Sequence, residues 1–343
     1  MSSDTLAIIT YIIISSSWVI YLLQEMFITG ASALNMAICE SEAERKQIQV
    51  VSGLHFDGVE VWLLAALTLT LGTFPLVFGT TFTYLYVVFF LLLYAIIGRG
   101  ISIEVIYKLD SKRWIKSMVV TWTISSILLI FILGVYISNV FYGFPLDELG
   151  MTENYFSIFN VTGIAGGLYF VSLSLIAGAG WIKLNTEGNV GDKAVSFVKK
   201  YGVIYTAPIL LMLVFMGLNN TDSSIFIGEL FSESIVFFIF PTLTAIFSIL
   251  ALYMGYKEKG KEIFIFSLLA MLFFLVTGFA GIYPYMIPSN IAMENGITIY
   301  ESAVSDKALK LVIIIVAIFY PIIFLYQGWK YKNFTTKVKL NDE

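Results

Sequence analysis

Residues 6–29 read LAIITYIIISSSWVIYLLQEMFIT, and this stretch decides what kind of molecule the chain builds. At about 1.5 Å of rise per residue, about 20 consecutive apolar residues cross the hydrocarbon core of a bilayer. The one charged side chain in the run is Glu25. Comparable runs follow at 59–79, 82–107, 115–141, 158–182, 203–219, 231–255, 262–284 and 308–330, the sixth only just long enough. Composition agrees: 58% of the 343 residues are hydrophobic and 13% charged, with a mean hydropathy of +0.87. Soluble domains are nearer a quarter charged, so a water-facing surface cannot be built from this inventory. Met1 to Thr5 leads straight into the first run without a small-residue cleavage site, so the first helix is expected to be retained. Gly72, Pro75, Pro208 and Pro241 fall within apolar runs and are read as kinks, not breaks. The expectation is an all-α integral membrane fold of about nine transmembrane helices. It forms one polytopic domain over 1–343, with possible four-helix halves at 1–141 and 158–284 and an extra final helix at 308–330.

Orientation follows from where the 20 Lys and Arg residues fall. The first loop carries Arg45 and Lys46, and the third Lys108, Lys112 and Arg113. The fifth carries Lys183, Lys193, Lys199 and Lys200, and the seventh Lys257, Lys259 and Lys261; Lys330, Lys332, Lys337 and Lys339 lie in the tail. The second, fourth and sixth loops have none, and the eighth has Lys307. Positive charge collects on the cytoplasmic side. The odd loops and the C-terminus are therefore expected inside and the N-terminus outside, which requires an odd number of spans. The fourth loop, Phe141 to Tyr155, and the eighth, Tyr285 to Lys307, are the long external segments. They carry Asp147, Glu148, Glu153, Glu294 and Glu301 and are expected to fold over the bundle.

One cysteine, Cys39, excludes an internal disulfide and any cysteine-clustered iron–sulfur or zinc site. One histidine, His55, excludes a bis-histidine haem, a multi-histidine copper centre and a zinc-protease pair within this chain. No cofactor is expected through the chain's own ligands, and no nucleic-acid partner is expected. If redox chemistry takes place, its metal sits on another subunit.

Ionisable groups inside spans cost about 2.5–3.5 kcal/mol each at a helix centre, so they mark candidate functional positions. Here they collect in the first third of the chain: Glu25, Asp57, Glu60, Arg99 and Glu104. With the N-terminus outside, all five lie toward the cytoplasm. Three readings stand side by side: a proton-entry path or a polar seam against a partner subunit, a structural lock in which Arg99 pairs with Glu60 or Glu104, and side chains snorkelling to the membrane interface. His55, two residues before Asp57, either titrates with it or is satisfied by local backbone. Gly163, Gly166, Gly167, Ala177, Gly178, Ala179 and Gly180 give the fifth span a surface for close helix packing. Trp62, Trp114, Trp181 and Trp329 sit near expected interfaces as belt residues.

The stretch His55-Phe56-Asp57-Gly58-Val59-Glu60-Val61-Trp62-Leu63 is similar to the WDGNEVWL signature of cytochrome bd quinol oxidase subunit II. Ser41 to Lys46 resembles that family's first-loop D-x-x-E-R-R run, and Arg99-Gly100-Ile101-Ser102-Ile103-Glu104 its R-G-x-x-F-E. Gly178-Ala179 with Thr186-Glu187-Gly188 resembles the stretch after its fifth span. Tyr283 to Ser289 and Pro321 to Trp329 resemble its last two spans and their connection. The matches run in order from Tyr21 to Phe334. Phe56 stands where the family has Trp, Val59 where it has Asn, and Ile28 at a position acidic in many relatives.

The resemblance implies a multi-pass protein of the prokaryotic cytoplasmic (inner) membrane. It implies a heterodimer with a larger subunit I that carries the b-type haems and haem d, or a variant, oxidises quinol and reduces oxygen to water. A small single-helix accessory subunit, membrane lipid and quinone are further partners to consider. This chain would hold no haem and would contribute acidic groups to a cytoplasmic proton route. Carried over by position, Asp57 matches the signature aspartate, Glu25 an acidic position of the first span, and Glu104 the acid after the arginine. The competing readings are a stand-alone ion or solute transporter and a purely structural scaffold. Transporters place such groups near mid-membrane at broken helices, whereas these lie to one side and in one half.

Overall fold

The computed structural model describes residues 2–53, 56–148, 150–151, 156–207, 209–211, 235–334 and 338. Its helices are α1 (Ser3–Ile38), α2 (Glu42–Gly53), α3 (Phe56–Thr73), α4 (Pro75–Tyr84), α5 (Tyr86–Val105) and α6 (Lys112–Tyr142). They continue with α7 (Val161–Asn185), α8 (Asn189–Phe197), α9 (Ile239–Tyr256), α10 (Gly260–Ile282), α11 (Ile299–Ser302) and α12 (Asp306–Phe334). Among the described residues, nine segments are long and apolar enough to cross a membrane: Ser3–Ile38, Glu42–Thr73, Tyr86–Val105, Lys112–Tyr142, Val161–Asn185, Asn189–Leu211, Val236–Tyr256, Gly260–Ile282 and Asp306–Asn333. The number expected from the sequence stands.

Two boundaries differ from expectation. The chain does not kink through Pro75 but breaks there: α3 stops at Thr73, Phe74 leaves the helical region, and Pro75 opens α4. A proline disfavours the α conformation of the residue before it and is pre-set for a helix's first position, so the break falls one residue earlier. Pro241 and Pro321, by contrast, sit inside continuous helices. The sixth span starts at Asn189, well before 203, so Lys193, Lys199 and Lys200 ride on helix instead of loop. Pro208 and residues 212–219 lie outside the described residues.

At the centre stands α1, packed against α2, α3, α6, α7, α10 and α12. Its start is fixed by Ser2, whose side chain accepts from the Thr5 amide and so satisfies one of the unpaired first-turn donors. Its closest neighbour is α7. A Cβ on Gly30 would stand 1.8 Å from the Ser174 carbonyl oxygen, and one on Gly178 2.3 Å from the Ala31 nitrogen. Only glycine fits at either position. The small residues of α7 serve other neighbours too, since Gly166 and Gly167 admit Ser138 and Phe131 of α6, and Gly180 admits Phe264 of α10. Lipid gives helices little hydrophobic reason to associate, so this close backbone approach supplies the van der Waals contact that holds them.

Contacts among the connections sort them into two ends. Lys193 pairs with Glu40 and Glu44, both at 2.7 Å, and Lys199 with Glu258 at 2.7 Å. The Gln47 amide donates to the carbonyls of Glu187 and Val338, and Val338 is hydrogen-bonded in turn to Asn185 and Glu187. The first, fifth and seventh loops and the tail therefore share one end. At the other end the Val304 amide donates to the Thr73 carbonyl, and Ser3 to Asp306. The two long loops are laced together there by Phe144, bonded to Pro288 and Asn290, and by buried Ser289, whose hydroxyl donates to the Leu146 carbonyl at 2.7 Å. Glu301 closes a capping box with Thr298 on this side; Glu153 lies outside the described residues. This cap over the bundle is what the long loops were expected to form.

Trp62 and Trp181 are not belt residues. Each is buried, Trp62 completely, because each indole N–H finds a partner inside the bundle: Gln327 for Trp62 and the Val51 carbonyl for Trp181. Trp114 is half-buried, and Trp329 is exposed as expected.

The α1–α7 crossing yields a paired prediction. Gly178→Ala, meeting backbone at 2.3 Å, is expected to cost about 1–3 kcal/mol and to lower the thermal midpoint of the detergent-purified protein. Gly72→Ala, with nothing within 4 Å, leaves the midpoint unchanged or raises it. Equal midpoints for the two variants would contradict the crossing described.

Candidate functional site

Arg99 of α5 has no exposed surface, although it is the most hydrophilic residue of its span. It reaches the interior because its neighbour Gly98 lets α5 close on α6, where a Cβ would lie 2.4 Å from the Ser125 hydroxyl. There the guanidinium meets Glu25 of α1, itself 1% exposed. Nη1 donates to Glu25 Oε1 and to the Thr29 hydroxyl, and Nη2 donates to Glu25 Oε2 at 3.4 Å. The Thr29 hydroxyl in turn donates to Glu25. Glu25 and Thr29 lie four residues apart and so share one face of α1. From α3, Glu60 Oε1 accepts from Nη2 at 3.4 Å. Three helices thus bring one cation and two carboxylates together.

The two acids are held differently. Glu25 is sealed, whereas the Glu60 side chain keeps 25% of its surface exposed and forms part of the wall of a cleft of about 400 Å³. The rest of that wall is apolar or aromatic, including Leu63, Leu67, Phe89, Leu92 and Ile96, with Glu60 its one charged member among the described residues. Beside the cluster lies an uncharged polar seam. Gln327 of α12 accepts from the Trp62 indole at 2.9 Å and from the Gln24 amide at 3.2 Å, and donates to the Gly58 carbonyl at 2.9 Å. Trp62 also packs edge-on against Tyr320, with ring centroids 5.1 Å apart. These contacts seat the last helix on the signature stretch of α3.

Of the residues singled out in the sequence, Glu25, Glu60 and Arg99 meet. Glu104 does not join them and is exposed on α5. Asp57 lies in the first turn of α3, next to the seam formed at Gly58; its side chain and His55 lie outside what is described. The structural pairing suggested for Arg99 is realised with Glu60, and above all with Glu25, in place of Glu104. Sequence reasoning missed Thr29, Gln24 and Gln327. Thr29 was within reach as the residue one turn beyond Glu25. Gln24 and Gln327 are lone amides in apolar runs, and nothing local says that they meet.

Cys39, at the end of α1, is buried, and desolvation pushes its thiol up to about 12. Burial thus favours its neutral thiol. Among the described residues no group of three or more His, Cys, Asp or Glu is placed to hold a metal ion.

Residues 6–334 match the family described as cytochrome bd terminal oxidase subunit II. The chain is 26% identical to the cytochrome bd ubiquinol oxidase subunit 2 of Bacillus subtilis, over 96% of this chain and 95% of that one. It is 24% identical to a probable cytochrome oxidase subunit 2 of Haemophilus influenzae, over 92% and 90%. Its identity to the cytochrome bd-I ubiquinol oxidase subunit 2 of Escherichia coli strain K12 is 21%, over 99% and 97%. The fold is similar to that of a chain in the bd oxidase structure from Geobacillus thermodenitrificans, with a TM-score of 0.65 at 14% identity, covering 96% of this chain and 99% of that one. A multi-pass bundle of nine candidate spans, matched from end to end by relatives of one kind, leaves a single placement: the chain belongs to the family of subunit II of the cytochrome bd terminal oxidases, in the bacterial inner membrane.

Proposed function

We propose that this chain is the haem-free subunit of a quinol:oxygen oxidoreductase. In this reading it supports a haem-bearing subunit I and delivers cytoplasmic protons toward it through its buried acids. The haems of the partner would carry electrons from quinol to dioxygen. Reduction of dioxygen to water consumes a proton for each electron, so acidic groups along an uptake route are a requirement of the chemistry.

The observation that carries this reading is the buried Glu25–Arg99–Glu60 cluster. Two carboxylates meet the same guanidinium, and charge held in a low-dielectric interior is costly. A proton shared between the acids lowers that cost. Arg99, charged at every physiological pH, orients the Glu25 carboxylate through both oxygens and also reaches the more distant Glu60, so a proton arriving at Glu25 can be shared with Glu60. Thr29, accepting from Arg99 and donating to Glu25, keeps the sealed carboxylate oriented. Asp57 at the start of α3 is proposed to precede the cluster on the same route, with His55 as its titrating neighbour. Glu104, exposed on α5, is proposed to act at the surface of the bundle. Orientation by positive charge puts the lysine-rich end in the cytoplasm. The partner assignment comes from the family, as do the quinol substrate and the proposed lipid and accessory-subunit contacts.

Purified from its native membrane, the chain is expected to come out with a haem-bearing partner and to show no visible absorbance once separated. A transport-competent lone polypeptide would overturn the reading. In the complex, Glu25→Gln is expected to lower quinol-dependent oxygen consumption by about 10²-fold or more while assembly is kept. Arg99→Leu strands a buried carboxylate at a cost of about 3–5 kcal/mol and is expected to lose assembled complex on a native gel. Normal turnover in Glu25→Gln would leave the cluster as a lock alone. Asp57→Asn is expected to slow proton uptake, followed with a pH-indicating dye, without loss of assembly; unchanged uptake removes Asp57 from the route.

A further inference from the structure

Most hydroxyls buried in this bundle solve their hydrogen-bonding problem locally. Thr10, Thr70, Thr81, Ser102, Ser126 and Ser267 each donate to the carbonyl one turn back, at 2.6–2.8 Å, as such residues do in apolar helices. Single hydroxyls elsewhere lack a partner, among them Thr123 and Ser138 of α6 and Ser174 of α7, but on one face of α1 several such groups follow one another. Tyr21 and Ser32 have hydroxyls without a hydrogen-bond partner, and Asn35 has neither its amide oxygen nor its amide nitrogen bonded. All three residues are 0% exposed. With Glu25 and Thr29 they follow one another at intervals of three and four residues, which places them in a single stripe along the helix. At about 1.5 Å per residue, the stripe runs about 15 Å from Glu25 to Asn35, toward the lysine-rich end. Ser52 of α2, a helix packed against α1, is likewise fully buried and unpartnered.

A buried polar atom left unmet costs about 1–3 kcal/mol. A run of them on one face, beginning at a charged pair, is not what packing alone selects. Buried water is the usual partner of such atoms, each molecule taking two to four hydrogen bonds from its surroundings. Asn35 offers donors and an acceptor, and Ser32 one of each, so together they can support successive waters in line. The opposite side of α1, where Gly30 meets Ser174 and Gly178 at backbone distance, is too tight to admit any.

We propose that a column of bound water runs along this stripe from Asn35 through Ser32 to the Thr29–Glu25 pair, and that protons reach Glu25 along it from the lysine-rich end. Asn35 and Ser32 are positioning residues for that water. The proposal rests on the reading that Glu25 takes part in proton uptake.

The test uses the assembled complex with its partner subunit. Asn35→Leu and Ser32→Ala remove the anchors without touching the ion pair, and each is expected to slow proton uptake, followed with a pH-indicating dye, by about tenfold. In a Glu25→Gln background neither should add a further loss. A high-resolution density map of the unmodified complex should show ordered solvent within hydrogen-bonding distance of the Ser32 hydroxyl and the Asn35 amide, lost in Asn35→Leu. Unaltered uptake in both variants while Glu25→Gln is impaired overturns the column and leaves the proposed function standing. Normal uptake in Glu25→Gln overturns the function and the column's role with it. Should Asn35→Leu fail to assemble, Ser32→Ala and the map decide, and a dry contact around both side chains ends the proposal.

Discussion

A guanidinium shut away from water must be answered by the bundle itself, and Arg99 is answered from two directions. Glu25 comes from α1 and Glu60 from α3, while Arg99 belongs to α5, so a single buried cation ties three spans together at one depth. Arginine suits this position better than lysine. Its planar fork can address both oxygens of Glu25 and still reach a second acid, and it keeps its charge where an ammonium would lose it. Such a cluster adds little net stability over an apolar core of the same shape, because desolvation offsets most of the attraction. What it does supply is orientation, since the first, second and third spans satisfy the cation only in one mutual rotation.

That rotation is enforced from the other side of α1. Gly30 lies five residues past Glu25, about 140° round the helix, and there α1 touches the backbone of α7 at Ser174 and Gly178. Small residues on one side and ionisable residues on the other leave the helix no freedom to turn. The acidic face is aimed at α5 as a result of packing that contains no charge. Through α7 the same contact reaches α6 and α10, so the position of Glu25 depends on residues far from it in sequence.

Much of this is legible from the residues. The runs of apolar residues define nine crossings, and the lysine pattern sorts the connections into the two sets that the structure brings together at opposite ends. Glu25, Glu60 and Arg99 stand out because charge inside a span is rare. What escapes is whatever depends on a partner far along the chain. Arg99 could have paired with Glu104 five residues on, and only the approach of α1 decides for Glu25. Trp62 and Trp181 read as interface residues until Gln327 and the Val51 carbonyl appear beside their indoles. Gln24 and Gln327 are joined across nearly the whole sequence. The break at Pro75 had a local signal, the restriction that proline places on Phe74, but an apolar run is equally consistent with a kinked helix and a divided one.

A lock and a proton site are often set against each other, yet in the proposed reading the first is a condition of the second. If Arg99 faced one acid alone, the pair would be neutral and would have no reason to bind a proton. If it faced two acids equally, neither would be favoured. Here Glu25 is sealed and gripped through both oxygens, while Glu60 accepts from Nη2 at 3.4 Å and stays partly open to the cleft. In the proposed reading, Arg99 holds this arrangement together while a proton delivered to Glu25 is shared with Glu60, so the bundle would keep its shape as the proton comes and goes.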